Sequence, residues 1–177
     1  MKQEKAFLDA EGDAWFNRNF LKLENPSDPV VKLIDEIHED SPGIVDVLEF
    51  GCANGWRLNI LRNLGLRCHG IDPSMAAIEN GNIRFPGMDL KVGTMRTEDA
   101  APTGHVDFLI YGFCLYLAEP AHLPEIVYRG DRSLSDGGFL IIHDFDPDYP
   151  HMVTYHHQIG LFSYKMDYSK LWLANPA

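Results

Sequence analysis

Residues 45–55 have the sequence VDVLEFGCANG, and this stretch decides the fold. Residues 45–50 form a short apolar run that predicts a buried strand, which ends at Gly51. Gly51 and Gly55 allow a tight turn and let a ligand approach the backbone. Residues 56–64 follow with apolar side chains at helical spacing. The stretch therefore predicts a strand, a glycine-containing loop and a helix.

Apolar runs of the same kind recur along the chain. Four more strands are predicted, at residues 67–71, 90–92, 106–111 and 139–142. Helices are predicted between them, one opening at residues 72–74 and one at residues 123–134 that is closed by a turn at residues 135–138. This alternation predicts an α/β fold, a Rossmann-like, doubly wound and mostly parallel sheet with helices on both faces.

The loop after the first strand is the candidate ligand site, because open parallel sheets bind ligands at the carboxyl ends of their strands. A dinucleotide site requires the pattern G-x-G-x-x-G, but Ala53 and Trp56 occupy the second and third glycine positions. Asp72 ends the second strand about 20 residues later, where an acidic side chain accepts hydrogen bonds from ribose hydroxyls. The alternative is that Asp72 only caps the helix that begins at Pro73.

Five segments in order resemble the motifs of class I S-adenosylmethionine-dependent methyltransferases. They are residues 47–55, 70–75, 92–95, 107–115 and 134–140. The resemblance covers residues 45–144. Two positions depart from the family pattern, since Ala53 replaces a glycine and Asp136 replaces a proline. Residues 111–114 read YGFC instead of the Asn-Pro-Pro-Tyr type of motif found in amide and adenine N-methyltransferases, which disfavours those substrates.

The resemblance implies S-adenosylmethionine as the methyl donor and S-adenosylhomocysteine as the product. The implied cofactor-binding residues follow the first four strands: Glu49, Gly51, Cys52, Ala53, Gly55, Asp72, Pro73, Met75, Thr94, Met95, Tyr111 and Gly112. Trp15 and Arg18 are predicted to form a lid, because an aromatic ring can cover the cofactor and an arginine can pair with its carboxylate. The alternative is a helix that packs Trp15 and Phe16 on the core and leaves Arg18 in solvent.

The chain is predicted to be a single methyltransferase domain of residues 1–177. Residues 1–40 are expected to form an N-terminal helical lid, residues 41–144 the cofactor-binding core and residues 145–177 a substrate-side tail. In the tail, residues 164–173 fit either a strand or a helix. The family's sheet has seven strands and ends in an antiparallel hairpin, so the short remainder after the fifth strand implies a trimmed C-terminal hairpin.

The acceptor pocket is predicted to be lined by residues 143–157, which follow the fifth strand on the ligand side of the sheet. His143 is the first candidate for a general base, His156 is the second, and Tyr116 is the candidate orienting group. A lone loop histidine more often only packs and hydrogen-bonds, so a structural role competes with each histidine assignment. The acidic run at residues 144–148 lacks the glycine and glutamate of a calcium loop, so solvated loop charge is expected and no metal is predicted. The alternative is a divalent metal bound by Asp144, Asp146 and a histidine.

The composition of the chain limits the classes of molecule that it is expected to bind. A formal net charge of −11 disfavours nucleic acid, so we expect a small-molecule acceptor with a hydroxyl or amine, methylated on oxygen or nitrogen rather than carbon. No apolar run is long enough to span a membrane, and the N-terminus lacks the apolar core of a signal peptide. We therefore expect a cytoplasmic monomer or homodimer without a membrane partner. The alternatives are a non-catalytic S-adenosylmethionine- or S-adenosylhomocysteine-binding protein and a nicotinamide oxidoreductase, which Trp56 disfavours.

Overall fold

The structure, a computed structural model, describes residues 2–97 and 105–174. Its central strands are β1 (Asp46–Phe50), β2 (Arg67–Asp72), β3 (Asp89–Val92), β4 (Val106–Gly112) and β5 (Leu134–His143). They form one sheet in the order β3-β2-β1-β4-β5, and neighbouring strands pair in parallel throughout. The predicted α/β, Rossmann-like fold is confirmed.

Helices cover both faces of this sheet. The α-helices of the described residues are α1 (Lys2–Ala6), α2 (Gly12–Asn19), α3 (Pro29–Asp40), α4 (Trp56–Asn63), α5 (Met75–Arg84), α6 (Leu123–Ser133) and α7 (Ser169–Leu173). Val47 and Ile110 pack with α3, α4 and α5, whereas Leu48 and Leu109 pack with α6. Side chains alternate along a strand, so consecutive residues serve opposite layers. None of the helices in residues 2–97 and 105–174 is long and apolar enough to cross a membrane.

The crevice for a ligand is fixed by the position of β1. β1 lies between β2 and β4, and Phe50 at its end pairs with Ile71 on one side and Tyr111 on the other. From β1 the chain continues to β2 and β3 on one side of the sheet, and it then crosses to β4 and β5 on the other side of β1. In sheets of this kind, ligands bind outside the carboxyl ends of the strands at such a switch point.

The N-terminal segment packs directly on the start of α5. A π-helical turn (Phe7–Glu11) joins α1 to α2, and the amide of Gly12 donates to the carbonyl of Phe7. A Cβ added at Gly12 would lie 2.8 Å from the carbonyl oxygen of Phe7 and 3.1 Å from the amide nitrogen of Ser74. Glycine therefore lets α2 approach the backbone of α5, and this packing buries Phe16.

The turn predicted at residues 135–138 lies inside a strand. Val106 pairs with Leu134, and Phe108 pairs with Phe139, so a single residue of β4 lies opposite four residues of β5. The extra residues form an irregular bulge, which bends a strand without ending it. The turn-forming residues thus act within β5 rather than before it.

The tail adds a separate antiparallel hairpin. Its strands are β6 (His151–Thr154) and β7 (Phe162–Lys165), and they do not extend the five-stranded sheet. Residues 164–173 include both the end of β7 and the helix α7. Gln3 connects the hairpin to α1: its Nε2 donates to the carbonyls of Leu117 and Phe162 at 2.7 Å, and its Oε1 accepts from the amide of Phe162 at 3.0 Å.

Candidate active site

The loop after β1 is a fixed backbone surface. Gly51, Ala53 and Gly55 have φ angles of 75°, 51° and 75°. A Cβ added at Gly51 would lie 2.7 Å from the carbonyl oxygen of Gly112, so both the angle and the space require glycine there. Ala53 adopts a conformation that non-glycine residues rarely adopt, and its amide is held by a hydrogen bond to Asp72.

Asp72 links this loop to the start of α5. One of its carboxylate oxygens accepts from the amide of Ala53 and the other from the amide of Ser74, both at 2.9 Å. The capping role that the sequence allowed for Asp72 belongs to Ser74, whose hydroxyl accepts from the amide of Ala77. Asp72 is only 9% exposed, and burial raises the pKa of its carboxyl to about 6. The carboxylate is thus held in place by backbone amides.

A first cavity, the apolar cavity, is partly closed by the N-terminal segment. Its lining includes Phe50, Gly51, Ile71, Pro73, Thr94, Met95, Leu117 and Ile126, together with Glu4 and Phe7 from the N-terminal segment. Glu4 accepts hydrogen bonds from the hydroxyl of Thr94 and the guanidinium of Arg96, both at 2.6 Å. Of the predicted cofactor-binding residues, Gly51, Pro73, Thr94 and Met95 therefore lie together here.

Gly51 also lines a second cavity of about 360 Å³, the charged cavity, which contains Asp28, Glu49 and Arg57. Arg57 donates to both carboxylate oxygens of Asp28 at 3.0 Å and to Oε1 of Glu49. Asp28 also accepts from two backbone amides in the first turn of α3. A buried ionic cluster therefore joins α3, β1 and α4 at the ligand edge. The predicted residues Cys52, Ala53 and Gly112 line the same cavity.

Glu49 has an unused hydrogen-bond acceptor. Its side chain is 1% exposed, and within residues 2–97 and 105–174 its Oε2 has no hydrogen-bond partner. Burial raises the pKa of Glu49 to about 7, against the lowering effect of Arg57. A buried polar atom without a partner is costly, and in a native site it points to a missing donor.

His143 lines the charged cavity, where its ring lies 4.6 Å from that of Phe113. Its Nδ1 faces Nη2 of Arg57 at 3.5 Å. A guanidinium can only donate, so Nδ1 accepts and the proton of the neutral ring lies on Nε2. Burial, and then the charge of Arg57, lower the pKa of His143. This arrangement suits a hydrogen-bond donor better than the general base predicted from the sequence.

A third cavity of about 260 Å³, the tail cavity, shares Trp15, Asn19 and Tyr116 with the charged cavity. The rest of its lining comes from the tail: Phe145, Val153, Thr154, Tyr155, His156, His157, Ser163 and Lys165. Tyr116 and His156, two of the three predicted catalytic residues, therefore line the same cavity. His143 lines the adjoining charged cavity.

Three predicted cofactor-binding residues, Tyr111, Met75 and Gly55, line none of the three cavities. The side chain of Tyr111 is fully buried, stacks on Phe50 and contacts Trp172, because its position in β4 faces α6 rather than the crevice. Met75 is 52% exposed at the start of α5 and lines none of the three cavities. Gly55 instead serves packing, since an added Cβ would lie 3.0 Å from the side chain of Leu90.

Arg18 is engaged away from the cavities. It donates to Oε1 of the buried Glu11 and, at 3.3 Å, to the hydroxyl of Tyr155, which itself donates to Glu11 at 2.8 Å. Both contacts use Nη2, and Arg18 lines none of the three cavities. Trp15, the other predicted lid residue, does line the charged and tail cavities.

Sequence reasoning missed Arg57 and Asp28. Asp28 precedes Pro29, which is a typical helix start, but its second role requires contact with a residue 29 positions away. Arg57 lies in the first turn of α4, where the helix dipole disfavours a cation. A cation in this unfavourable position is a signal, readable from the sequence, that carboxylates lie near Arg57.

The sequence matches a family described as "Methyltransferase domain" over residues 5–176. No curated protein sequence matches the chain.

Solved structures share the fold. Burkholderia thailandensis 1,6-didemethyltoxoflavin-N1-methyltransferase, with its bound acceptor and S-adenosylhomocysteine, is 14% identical and superposes with a TM-score of 0.71 over 97% of this chain and 77% of its own. A Micromonospora echinaspora amino pentose methyltransferase with bound S-adenosylmethionine is 20% identical, with a TM-score of 0.60 over 80% of this chain and 63% of its own. Streptomyces venezuelae DesVI is 18% identical, with a TM-score of 0.57 over 71% of this chain. The match spans 57% of the length of DesVI.

Proposed function

Since the chain belongs to the methyltransferase-domain family, we propose that it transfers a methyl group from S-adenosylmethionine to a small-molecule acceptor, on oxygen or nitrogen. The observation that carries the proposal is that neighbouring cavities share walls. Gly51 joins the apolar cavity to the charged cavity, and Trp15, Asn19 and Tyr116 join the charged cavity to the tail cavity. A donor and an acceptor in adjoining cavities would meet at the carboxyl ends of β1 and β4.

The residues of the first two cavities fit this cofactor. Phe50, Ile71 and Met95 offer an apolar site for an adenine ring. Asp72 itself lines none of the three cavities, but it lies at the end of β2 between Ile71 and Pro73, which line the apolar cavity, and this is where a ribose is expected. The free Oε2 of Glu49 suits an ammonium group, which would supply its missing hydrogen bond. Bound there, the cofactor supplies an electrophilic methyl group. The protein's part is to hold donor and acceptor in line, which by itself removes much of a barrier.

The tail cavity suits a small acceptor. Its volume of about 260 Å³ is that of a site for a small molecule, and the net charge of −11 disfavours nucleic acid. Two structural neighbours are described as acting on small molecules, one on 1,6-didemethyltoxoflavin and one on an amino pentose. Aromatic walls from Trp15, Tyr116 and Phe145 are also favourable beside a cationic methyl donor.

The two candidate histidines take different roles in this proposal. His156 lies in the tail cavity and accepts the proton of the acceptor hydroxyl or amine. His143 donates from Nε2 and orients the acceptor, because Arg57 engages its Nδ1. Tyr116 lies at the junction of the charged and tail cavities and orients the acceptor from there.

The first test is turnover. His156→Ala is expected to lower the conversion of S-adenosylmethionine to S-adenosylhomocysteine about 100-fold on a productive acceptor, the usual contribution of a general base. Affinity for S-adenosylhomocysteine should stay near wild type, because the tail cavity is separate from the apolar cavity. His151→Ala, a change in the same hairpin outside the cavities, is the control and should keep full turnover.

The acceptor is found by screening hydroxyl- and amine-bearing small molecules with the wild-type protein. Full turnover of His156→Ala on a productive acceptor would remove the base assignment and leave alignment alone as the source of rate. Tight binding of S-adenosylhomocysteine without turnover on any acceptor would favour a non-catalytic binding protein.

The N-terminal segment should become protected when the cofactor binds. Glu4 and Phe7 line the apolar cavity, so a ligand there stabilises the closed position of α1 against local opening. Limited proteolysis within residues 2–22 is expected to slow several-fold with S-adenosylhomocysteine and not with NAD. Gln3→Ala should speed cleavage without ligand, because it removes the three hydrogen bonds that hold α1. Equal cleavage rates with and without ligand would exclude α1 from the ligand site.

A further inference from the structure

The tail cavity contains a lysine without an acidic partner. The ammonium of Lys165 lies 3.9 Å from the centre of the Phe145 ring and forms no ion pair within residues 2–97 and 105–174. Lys170, five residues later, is instead paired with Asp167 at 3.4 Å. Lys165 is half-buried and lines the cavity beside Phe145, so we take its charge to be available to a ligand.

The charge around Lys165 is unusual for this protein. The tail cavity is lined by Lys165, His156 and His157, and no carboxylate is among its described lining residues. Two acidic groups that bond to residues of its lining are engaged there. Glu11 is bound by Arg18 and Tyr155, and Asp144 accepts from backbone amides that include those of Tyr116 and Phe145. In a chain of net charge −11, such a cavity is a local site for an anion.

A buried hydroxyl lies on the same face as Lys165. Ser163 precedes Lys165 by two positions in β7, and residues at that spacing point to one side of a strand. Ser163 is 6% exposed and lines the tail cavity, so it places a hydroxyl-bearing side chain in the wall beside Lys165. A serine hydroxyl can donate a hydrogen bond, and a carboxylate can accept it.

The remaining walls favour a flat ring. The rings of Tyr116 and Phe145 meet edge to face, with centres 5.0 Å apart and an interplanar angle of 87°. Trp15 lines the same cavity on the side shared with the charged cavity. Aromatic edges and faces pack well on a planar ligand.

We propose that the tail cavity selects a planar-ring acceptor that carries a carboxylate, held by the ammonium of Lys165 and the hydroxyl of Ser163. This inference rests on the proposed function, because it takes the tail cavity as the acceptor side. The carboxylate end is fixed at β7, so the opposite edge of the ring is directed towards Tyr116 and the charged cavity, where the methyl group would be delivered.

The test uses the full chain saturated with S-adenosylhomocysteine and two matched probes, 4-hydroxybenzoate and the neutral 4-hydroxybenzamide. Affinities are measured by isothermal titration for wild type and variants, and NMR of the Lys165 side chain reports contact with the probes in wild type. The benzoate is expected to bind at least tenfold more tightly than the amide. Lys165→Met, which keeps most of the stem, should reduce this preference to about onefold, and Ser163→Ala should reduce it in part. Lys170→Met is the control and should keep it.

The results separate this inference from the proposed function. If S-adenosylhomocysteine does not bind, the proposed function fails. If it binds but the two probes bind equally well, or neither shifts the Lys165 signals, only the carboxylate assignment is overturned. That assignment is also overturned if Lys165→Met keeps the preference while its thermal stability and S-adenosylhomocysteine affinity match wild type.

Discussion

Replacing Arg57 with methionine is expected to destabilise the fold by about 3–5 kcal/mol, the usual cost of removing one partner from a buried ion pair. The guanidinium is the charge partner of both Asp28 and Glu49, and all three side chains are buried. Asp28 keeps two backbone donors in α3, but Glu49 loses its hydrogen-bond partner. For a chain of this length, the loss corresponds to a fall in melting temperature of roughly 10 °C.

Thermal unfolding checks this result, with Arg67→Met as the control. Arg67 is paired with Asp46, but its side chain is 69% exposed, so its removal should cost much less stability. A loss of that smaller size for Arg57→Met would contradict the central role of the cation. The double change Arg57→Met with Glu49→Gln should recover part of the stability, because it removes the uncompensated carboxylate.

The pH dependence gives the destabilisation a second signature. Burial raises the pKa of Glu49 to about 7, above the usual value of 4.5, so between these values the folded protein binds more protons than the unfolded chain. The contribution of Glu49 to stability therefore falls as pH rises through that window. Without Arg57 the pKa of Glu49 rises further, and protonation relieves the buried charge. The loss caused by Arg57→Met should thus be smaller at pH 6 than at pH 8.

Asp72→Ala is expected to weaken S-adenosylhomocysteine binding about tenfold to a hundredfold. In the proposed binding mode, the change removes two hydrogen bonds to ribose, each worth roughly 1–1.5 kcal/mol. Isothermal titration measures the loss, and wild type should show no binding of NAD or ATP. Asp89→Ala, at an exposed carboxylate in β3, is the control and should keep wild-type affinity.

Asp72 also holds the loop through the amides of Ala53 and Ser74, so the ribose contact must be separated from that role. A 2′,3′-dideoxy analogue of S-adenosylhomocysteine makes this distinction. The loss caused by Asp72→Ala should be much smaller for the analogue than for the natural ligand. Equal losses would assign Asp72 to holding the loop alone.

The parts of the fold that depend on local pattern could be predicted. Residues 45–55 indicated the first strand and its loop because an apolar run followed by glycines has few other structures available. Asp72 was predicted to end β2 because it follows a second apolar run about 20 residues after the loop. In the structure it ends β2 and accepts a hydrogen bond from the loop amide of Ala53.

The parts that depend on distant contacts could not be predicted. Tyr111 was assigned to the crevice, but a change of one residue in a strand exchanges faces, and the motif alone does not determine that phase. Arg18 pairs with a glutamate seven positions earlier and with Tyr155 in the tail, and neither contact has a local signature. The position of Lys165 depends on the β6–β7 hairpin, and the sequence pattern of the tail did not predict these two strands.

The π-helical turn between α1 and α2 sets the rotational phase of the first helix. Such a turn accommodates one more residue than an α-helical turn, so it rotates everything before it by about 100° around the common axis. In this phase Gln3 meets Leu117 and Phe162, while Gly12 still rests on α5. Shortening the turn by one residue would leave α2 seated and swing Gln3 and Glu4 off their partners. The orientation of α1, which covers the apolar cavity, is therefore set independently of the core. A single insertion or deletion in the turn can change it, in evolution or design, without altering the sheet.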